Sequence, residues 1–131
     1  MEHHVLLIED EANIVEALRF LLLRDGWQVS THSNGATAID AVRNIKPDVI
    51  VLDVMLPHKS GFDILKDLRD DAYISDIPVL MLTARGQKKD RDTAMSLGAT
   101  VFMTKPFGNT EVVQTLVDIV QTDGDMSRGA S

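Results

Sequence analysis

Val49-Ile50-Val51-Leu52-Asp53 is a run of four consecutive apolar residues that ends at a carboxylate. Apolar runs without alternation are typical of strands that are buried on both faces of a parallel sheet. Val5–Ile8 and Pro78–Leu82 are two further runs of this kind elsewhere in the chain. Together the three runs predict the central strands of a sheet that is covered by helices on both sides.

Two weaker runs predict the edges of the sheet. Trp27–Thr31 alternates apolar and polar residues, and Val101–Met103 is short and flanked by threonines. Helical periodicity separates the five runs, and right-handed crossovers then favour the strand order 2-1-3-4-5. The sequence therefore predicts an α/β protein with a doubly wound five-stranded parallel sheet. The inward helical positions are Ile14, Leu18 and Leu22, then Ile39 and Val42, then Ile64, Leu65 and Leu68, and last Val112, Val113, Leu116, Val117 and Val120, while Lys88–Leu97 is weakly amphipathic.

Composition narrows the function classes. The net charge of −7 argues against a nucleic-acid footprint on this domain. Without cysteine there is neither a disulfide framework nor a thiolate metal site. No secretory signal is evident, and no apolar run approaches the roughly 20 residues that span a bilayer, so we expect a cytoplasmic protein without membrane contact. Residues 1–121 are predicted to form one domain, and residues 122–131 a disordered tail or truncated linker.

Polar residues follow the carboxyl ends of four predicted strands, where open α/β sheets bind ligands. Glu9 and Asp10 follow the first strand, Asp53 the third, Thr83 the fourth and Lys105 the fifth. Clustered carboxylates repel one another unless a cation lies between them, and Mg²⁺ suits an all-oxygen ligand set that also meets phosphate. Because no His or Cys joins the cluster, zinc is disfavoured.

The same residues suit phosphoryl transfer. An ionised aspartate is a nucleophile without a general base, and aspartyl-phosphate is an established covalent intermediate. Mg²⁺ and Lys105 would neutralise charge on the transferred group, and Thr83 with the backbone N–H groups after the fourth strand could donate hydrogen bonds to it. Each residue alone also has an ordinary structural interpretation: Asp10, Asp53 and Thr83 as caps or turn residues, and Phe102 as core.

Taken together, these motifs resemble the receiver domain of two-component response regulators. The resemblance runs from about Val5 to Val120, with the flavodoxin-like (βα)5 fold as its implied architecture. One variation is Glu9, which replaces an aspartate as is common in the family. The motifs are Glu9-Asp10, Asp53-Val54-Met55-Leu56-Pro57 followed by Gly61, Thr83-Ala84, and Lys105-Pro106-Phe107.

The resemblance implies a role for each matching residue. Asp53 is the phosphoacceptor, and Mg²⁺ is held by Glu9, Asp10, Asp53 and the backbone carbonyl of Met55. Thr83, the Ala84 backbone and Lys105 contact the phosphoryl group. Thr83 and Phe102 form the switch, Met55 and Arg85 tune phosphoryl lifetime, and Lys105–Pro106 is a candidate cis peptide.

The resemblance also implies partners. A sensor histidine kinase or a histidine phosphotransfer protein is the expected phosphodonor, and an unknown downstream protein is expected to bind the face of the fourth helix, fifth strand and fifth helix. The same face could form a homodimer after phosphorylation. The chain is expected to be no enzyme beyond its own phosphorylation and dephosphorylation. Residues 85–92 carry four basic and two acidic side chains, which either contribute to partner choice or form a solvated face.

Three alternatives stand beside this prediction. A haloacid-dehalogenase-type phosphatase needs a second acid two residues after the nucleophile, where this chain has Met55. A degenerate receiver that binds partners without phosphorylation usually lacks an acid or the lysine, and this chain has both. The chain could also be cut from a longer regulator or a hybrid kinase.

Overall fold

Strands and helices alternate along the whole described chain. The computed structural model describes residues 2–83, 88–104 and 107–130, with side chains described as far as Gln121. A single turn of 3-10 helix, Gly35–Thr37, precedes the second helix. The elements are β1 (His4–Ile8), α1 (Ala12–Arg24), β2 (Gln28–His32), α2 (Ala38–Ile45), β3 (Val49–Asp53), α3 (Gly61–Asp70), β4 (Val79–Thr83), α4 (Lys88–Ser96), β5 (Val101–Thr104) and α5 (Asn109–Ala130).

The five strands form one parallel sheet in the order β2-β1-β3-β4-β5. This confirms the predicted fold class and strand order. The continuous apolar runs are the three inner strands, and β3 and β4 are buried along their full lengths. The alternating run lies at one edge as β2, and the short run lies at the other edge as β5. A sheet that is covered on both faces explains why the inner strands have no polar face.

Two apolar layers hold the helices against the sheet. Because successive side chains of a strand point to opposite faces, β3 serves both layers. Ile50 and Leu52 pack in the layer that contains side chains of α2, α3 and α4. Val49 and Val51 pack in the opposite layer, with side chains of α1 and α5. The predicted inward positions of the helices lie in these layers.

The element boundaries differ from the predicted ones by about one residue. Trp27 was predicted to begin β2 but precedes it; the ring is 6% exposed and packs in the layer of α1 and α5. Pro78 likewise precedes β4, and its carbonyl accepts a hydrogen bond from the N–H of Ile50 at 3.0 Å. Thr83 is the last residue of β4 rather than the first residue after it.

The last helix extends beyond the apolar stripe that predicted it. Its backbone continues through residues 122–130, which the sequence predicted to be disordered. The glycines and serine of this segment suggested a linker, but the segment has no proline, so nothing interrupts the helical hydrogen bonds. The division between a domain and a tail stays a prediction. None of the described helices is long and apolar enough to cross a lipid bilayer.

The C-terminal end of α3 is held by polar contacts. The guanidinium of Arg69 donates hydrogen bonds to the carbonyls of Gly98 (3.0 Å), Ser75 (2.9 Å) and Ile77 (2.6 Å). Partial burial lowers the pKa of Arg69, and the nearby Asp76 acts in the opposite direction. Arginine stays protonated in proteins, so this group joins α3 to the starts of β4 and β5 as a cation.

Asp71, just beyond α3, is also fully partnered. Its carboxylate accepts the backbone N–H of Tyr73 at 2.9 Å and lies 2.6 Å from the guanidinium of Arg43 on α2. The Tyr73 N–H and then the Arg43 guanidinium lower the pKa of Asp71 because both favour the ionised form.

Candidate functional site

Three carboxylates from two neighbouring strands meet at one end of the sheet. Glu9 and Asp10 follow β1, and Asp53 is the last residue of β3. Since β1 and β3 are adjacent and parallel, their carboxyl ends lie side by side. One oxygen of each carboxylate lies within 4.8 Å of the others. The helices leave the sheet in opposite directions at this point, which is where open α/β sheets bind ligands.

Because two of the three carboxylates are buried, the cluster raises the electrostatic free energy of the folded protein unless a cation is bound. Glu9 is 3% exposed and Asp53 is 2% exposed, whereas Asp10 is open to solvent. Carboxylates that are close together and shielded from water raise each other's electrostatic free energy. A divalent cation that entered past Asp10 would offset this repulsion.

The donor set fits Mg²⁺. All three groups offer oxygen, the ligand that this hard ion prefers, and Mg²⁺–O distances of about 2.0–2.1 Å put opposite ligands about 4.2 Å apart. The carboxylate oxygens are already within 4.8 Å of one another. A small movement, or a water in place of one direct ligand, would complete such a site.

Backbone N–H groups orient two of the carboxylates. The N–H of Met55 donates to Asp53 Oδ1 at 3.2 Å, and the N–H of Glu11 donates to Glu9 Oε1 at 3.1 Å. The loop after β3 therefore turns back over Asp53 at Met55. The side chain of Met55 is 54% exposed, beside the cluster rather than in the core.

Gly61 allows α3 to begin directly against Asp53. The N–H of Gly61 donates to the carbonyl of Val54 at 2.8 Å. A Cβ at Gly61 would lie 2.2 Å from the Asp53 carbonyl oxygen and 2.8 Å from Val54 Cα. No side chain fits there without moving the backbone, which explains in steric terms why this position of the motif is a glycine in the present chain.

Thr83 lies at the end of the next strand. It is 1% exposed and pairs with Thr104 of β5. Asp53 pairs with Leu82, so Thr83 is one residue beyond the position opposite Asp53 on the neighbouring strand. Ala84, Arg85 and Lys105 lie outside the described residues, as does the Lys105–Pro106 bond, and their roles stay predictions.

Phe102 lies on β5, half-buried, where it packs against the layer of α2, α3 and α4. It also lines an open cleft of about 750 Å³ between α4, β5 and α5. The charged residues of this cleft are of both signs, and Lys88 pairs with Asp92 at 2.9 Å. The described residues that line it are Lys88, Arg91, Asp92, Phe102, Met103, Thr104 and Glu111.

One contact of the site was missed by the sequence analysis. The end of β2 and the segment after it touch both acidic loops. The carbonyl of His32, the last residue of β2, accepts the N–H of Glu9 at 3.0 Å, and the N–H of Gly35 donates to the carbonyl of Pro57 at 3.2 Å. Asn34-Gly35 is a turn signal in the sequence. Nothing in that signal indicates which loop the turn will contact.

The fold and the acidic cluster define a class: a doubly wound α/β domain with an oxygen-ligand site where the strand order reverses. The response regulator receiver domain family model matches residues 5–117. The chain belongs to this family, as its motifs indicated.

Relatives agree with this assignment. The chain is 42% identical over 112 residues to the alkaline phosphatase synthesis transcriptional regulatory protein PhoP of Bacillus subtilis, covering 86% of this chain and 46% of PhoP. It is 36% identical over 127 residues to the phosphate regulon transcriptional regulatory protein PhoB of Escherichia coli, covering 97% of this chain and 56% of PhoB. The chain thus spans about half the length of these curated relatives.

Solved structures share the fold. The chemotaxis response regulator CheY4 of Vibrio cholerae matches with a TM-score of 0.84 and 28% identity, over 91% of this chain and 99% of that one. The signal receiver domain of a signal transduction histidine kinase from Syntrophus aciditrophicus matches with a TM-score of 0.83 and 26% identity, over 92% of this chain and 91% of that one.

Proposed function

We propose that this receiver domain accepts a phosphoryl group on Asp53 in a Mg²⁺-dependent reaction. The observation that carries the proposal is the cluster of Glu9, Asp10 and Asp53, whose oxygens lie within 4.8 Å of one another at the switch point of the sheet. Repulsion within a carboxylate cluster destabilises the fold, so a cluster at a ligand-binding position is better explained by a bound ligand than by a structural role.

The donor would be a phosphohistidine of a sensor histidine kinase or of a histidine phosphotransfer protein. A carboxylate oxygen of Asp53 attacks phosphorus, an O–P bond forms, and the N–P bond breaks with its electron pair left on the ring nitrogen. The N–H of Met55 holds Asp53 Oδ1 and so orients the nucleophile. Glu9, Asp10, Asp53 and the carbonyl of Met55 would hold Mg²⁺, which when bound supplies positive charge to the phosphoryl oxygens.

The remaining predicted residues complete the proposed site. Thr83, at the end of the adjacent strand, would donate its hydroxyl to the phosphoryl group, together with the Ala84 N–H and the Lys105 ammonium. Met55 and Arg85 would set the phosphoryl lifetime. The domain would thus catalyse only its own phosphorylation and dephosphorylation.

Phosphorylation would be transmitted through Thr83 and Phe102. When Thr83 moves toward the phosphoryl group, Phe102 can turn inward and alter the cleft of α4, β5 and α5 that it lines. A downstream protein, or a second copy of this chain, that prefers the altered cleft would shift the population toward it.

PhoP and PhoB are named as transcriptional regulators. This likeness supports a role in transcriptional control. DNA would be bound by another domain or by a partner, because this chain carries a net charge of −7.

Intact-protein mass spectrometry after incubation with acetyl phosphate tests the proposal. We expect one phosphoryl adduct that requires Mg²⁺ and is absent from Asp53→Asn. Asp63→Asn is the matched control, since Asp63 is an exposed aspartate in the first turn of α3, and this variant should be phosphorylated normally. Mg²⁺ binding and adduct formation both absent from the wild-type chain would point instead to a receiver that binds partners without phosphorylation.

A further inference from the structure

The loop after β3, residues 54–60, contacts the segment after β2 at Gly35. Gly35 is buried, and its N–H donates to the carbonyl of Pro57 at 3.2 Å. A Cβ at Gly35 would lie 2.5 Å from the Lys59 carbonyl oxygen and 3.0 Å from the Pro57 carbonyl oxygen. Any side chain at this position must therefore displace the backbone of the loop.

Space, not backbone conformation, is what requires glycine at this position. Among the described glycines, only Gly26 and Gly98 have positive φ. Gly35 begins the 3-10 turn, and Asn34 Oδ1 fixes that turn by accepting the N–H of Ala36 at 2.8 Å. Alanine could adopt the backbone of Gly35 without strain, so its effect would come from the collision alone.

The loop after β3 has little freedom to move aside. Pro57 has a fixed φ and restricts the residue before it. His58 has a φ of 72°, in the left-handed region that non-glycine residues rarely adopt. Lys59 forms an ion pair with Asp67 on α3, which holds the far end of the loop. A displacement of the backbone at Pro57 and Lys59 should therefore also move the neighbouring residues of the loop.

Met55 is where such a push would reach the acidic cluster. It lies two residues before Pro57, and its N–H donates to Asp53 Oδ1 at 3.2 Å. The proposed function also assigns the Met55 carbonyl to Mg²⁺. A displaced loop would thus move one metal ligand and change the orientation of another.

We infer that Gly35 is a positioning residue for the metal site: its lack of a side chain lets the loop after β3 sit where Met55 and Asp53 can bind Mg²⁺ together. The inference rests on the proposed function, since it assigns Gly35 a part in the same reaction. Gly35 itself touches neither the metal ligands nor the reacting atoms. The effect runs through loop residues that do not bind the metal themselves, and changes in such supporting groups typically weaken metal affinity by about 10–100-fold.

Gly35→Ala in the full 131-residue chain tests the inference, with Gly26→Ala as the matched control. A Cβ at Gly26 meets nothing within 4 Å, but the residue has a φ of +89°. Gly26→Ala therefore strains a turn far from the site, and it reproduces a general loss of stability without touching the loop. Two quantities are measured for both variants: the Mg²⁺ dissociation constant by calorimetry, and the rate of phosphorylation by acetyl phosphate at limiting and at saturating Mg²⁺.

We expect Gly35→Ala to raise the Mg²⁺ dissociation constant by about tenfold, and Gly26→Ala to leave it near the wild-type value. Saturating Mg²⁺ should restore most of the phosphorylation rate of Gly35→Ala, which a general structural defect would not show. The amide resonances of Val54 and Met55 should shift in Gly35→Ala without Mg²⁺ and stay in place in Gly26→Ala.

Equal Mg²⁺ affinities in the two variants would overturn the inference and leave the proposed function standing. A wild-type chain that neither binds Mg²⁺ nor is phosphorylated would overturn the proposed function itself. If Gly35→Ala does not fold, Asn34→Ala carries a related test, because it releases the 3-10 turn that places Gly35 against the loop. Ser33→Ala is its control, because Ser33 and Asn34 both line the hollow beside Glu9 and Asp10. We expect a weaker loss of Mg²⁺ affinity in Asn34→Ala, and an unchanged affinity there would count against the inference.

Discussion

The two ends of α3 handle charge in opposite ways. At the N-terminal end, Gly61 lets the helix begin against Asp53, whose carboxylate is gathered with two others of the same sign. At the C-terminal end, Arg69 donates to three carbonyls, and Asp71 is paired with Arg43. One helix thus joins an acidic end, where three carboxylates are clustered, to a paired end, where Arg69 meets carbonyls and Asp71 meets an arginine. The difference separates residues that serve a ligand from residues that serve the fold.

Similar substitutions at the two ends of α3 should change the stability of the protein in opposite directions. Neutralising a carboxylate should stabilise the protein at the acidic end when no cation is bound, because repulsion is relieved. At the paired end, the same change at Asp71 should destabilise it, because the ion pair with Arg43 is lost. Stability measurements with and without Mg²⁺ therefore distinguish the two ends.

The largest effect is expected from Gly61→Ala. Gly61 is the first residue of α3, so alanine gains only a small part of the roughly 1 kcal/mol that it has over glycine inside a helix. The new Cβ, however, would lie 2.2 Å from the Asp53 carbonyl oxygen, and overpacking of this kind costs about 3 kcal/mol. We expect a net loss in the free energy of unfolding, measured by urea denaturation.

Gly108→Ala is the control for this change. A Cβ at Gly108 would be 3.7 Å from its nearest neighbour, Glu111 Cβ. We expect a change within about 0.5 kcal/mol, as for most surface substitutions. If Gly61→Ala proved as stable as Gly108→Ala, the close contact between α3 and β3 would not constrain the site.

A second, smaller effect is expected from Asp53→Asn in the presence of a chelator. The variant keeps Oδ1 as an acceptor for the Met55 N–H and removes one charge from the cluster. Two unit charges at this separation and an effective dielectric constant of about 20 interact by about 3 kcal/mol, so a gain on the order of 2 kcal/mol is reasonable after relaxation.

Mg²⁺ should remove this advantage, because the wild-type chain gains stability from binding the ion. Thermal unfolding with and without Mg²⁺ measures both effects, and the exposed Asp63→Asn serves as the control. An Asp53→Asn variant that is less stable than the wild type in chelator would contradict the view that repulsion dominates at this end of α3.

Arg69→Lys tests the paired end with the charge retained. The guanidinium donates through Nε to Gly98 and through Nη1 to Ser75 and Ile77. A single ammonium cannot reproduce this fork, and lysine loses its charge more readily than arginine when buried. We expect a loss of about 1.5 kcal/mol in the free energy of unfolding, with Mg²⁺ affinity unchanged.

The exposed Arg24→Lys is the matched control, since Arg24 lies 4.0 Å from Asp25 and its side chain is 64% exposed. Its stability should stay close to that of the wild type. A change in Mg²⁺ affinity on replacing Arg69 would show that the two ends of α3 are coupled, contrary to the division of roles described above.

The fold could be predicted because strands that are buried on both faces consist of consecutive apolar residues, which are visible in the sequence. The apolar runs of β1, β3 and β4 could only be inner strands, and the helical periodicity between them required crossovers. The convergence of Glu9, Asp10 and Asp53 followed from the same topology, since parallel strands bring their carboxyl ends together.

The loop contacts could not be predicted in this way. The sequence marks Gly61 as part of a motif and Gly35 as part of a turn, but only the packed structure shows which backbone each one approaches. Arg69 looks like an ordinary charged residue on the outer face of α3, although its partners are 6 to 29 positions away.

The smallest effect concerns Asp71, and it depends on pH. The pKa of Asp71 is lowered in the folded protein, first by the Tyr73 N–H and then by Arg43. A group of this kind contributes stability above its unfolded pKa of about 3.9, and the contribution is lost as the pH falls through the lower folded pKa. The difference in the free energy of unfolding between the wild type and Asp71→Asn should therefore be largest near neutral pH and shrink below about pH 4. Urea denaturation at several pH values measures it.

Asp40→Asn removes a more exposed carboxylate, 3.7 Å from the same guanidinium, and should show a smaller difference. A difference for Asp71→Asn that does not change with pH would mean that its ion pair adds nothing to the stability of the paired end.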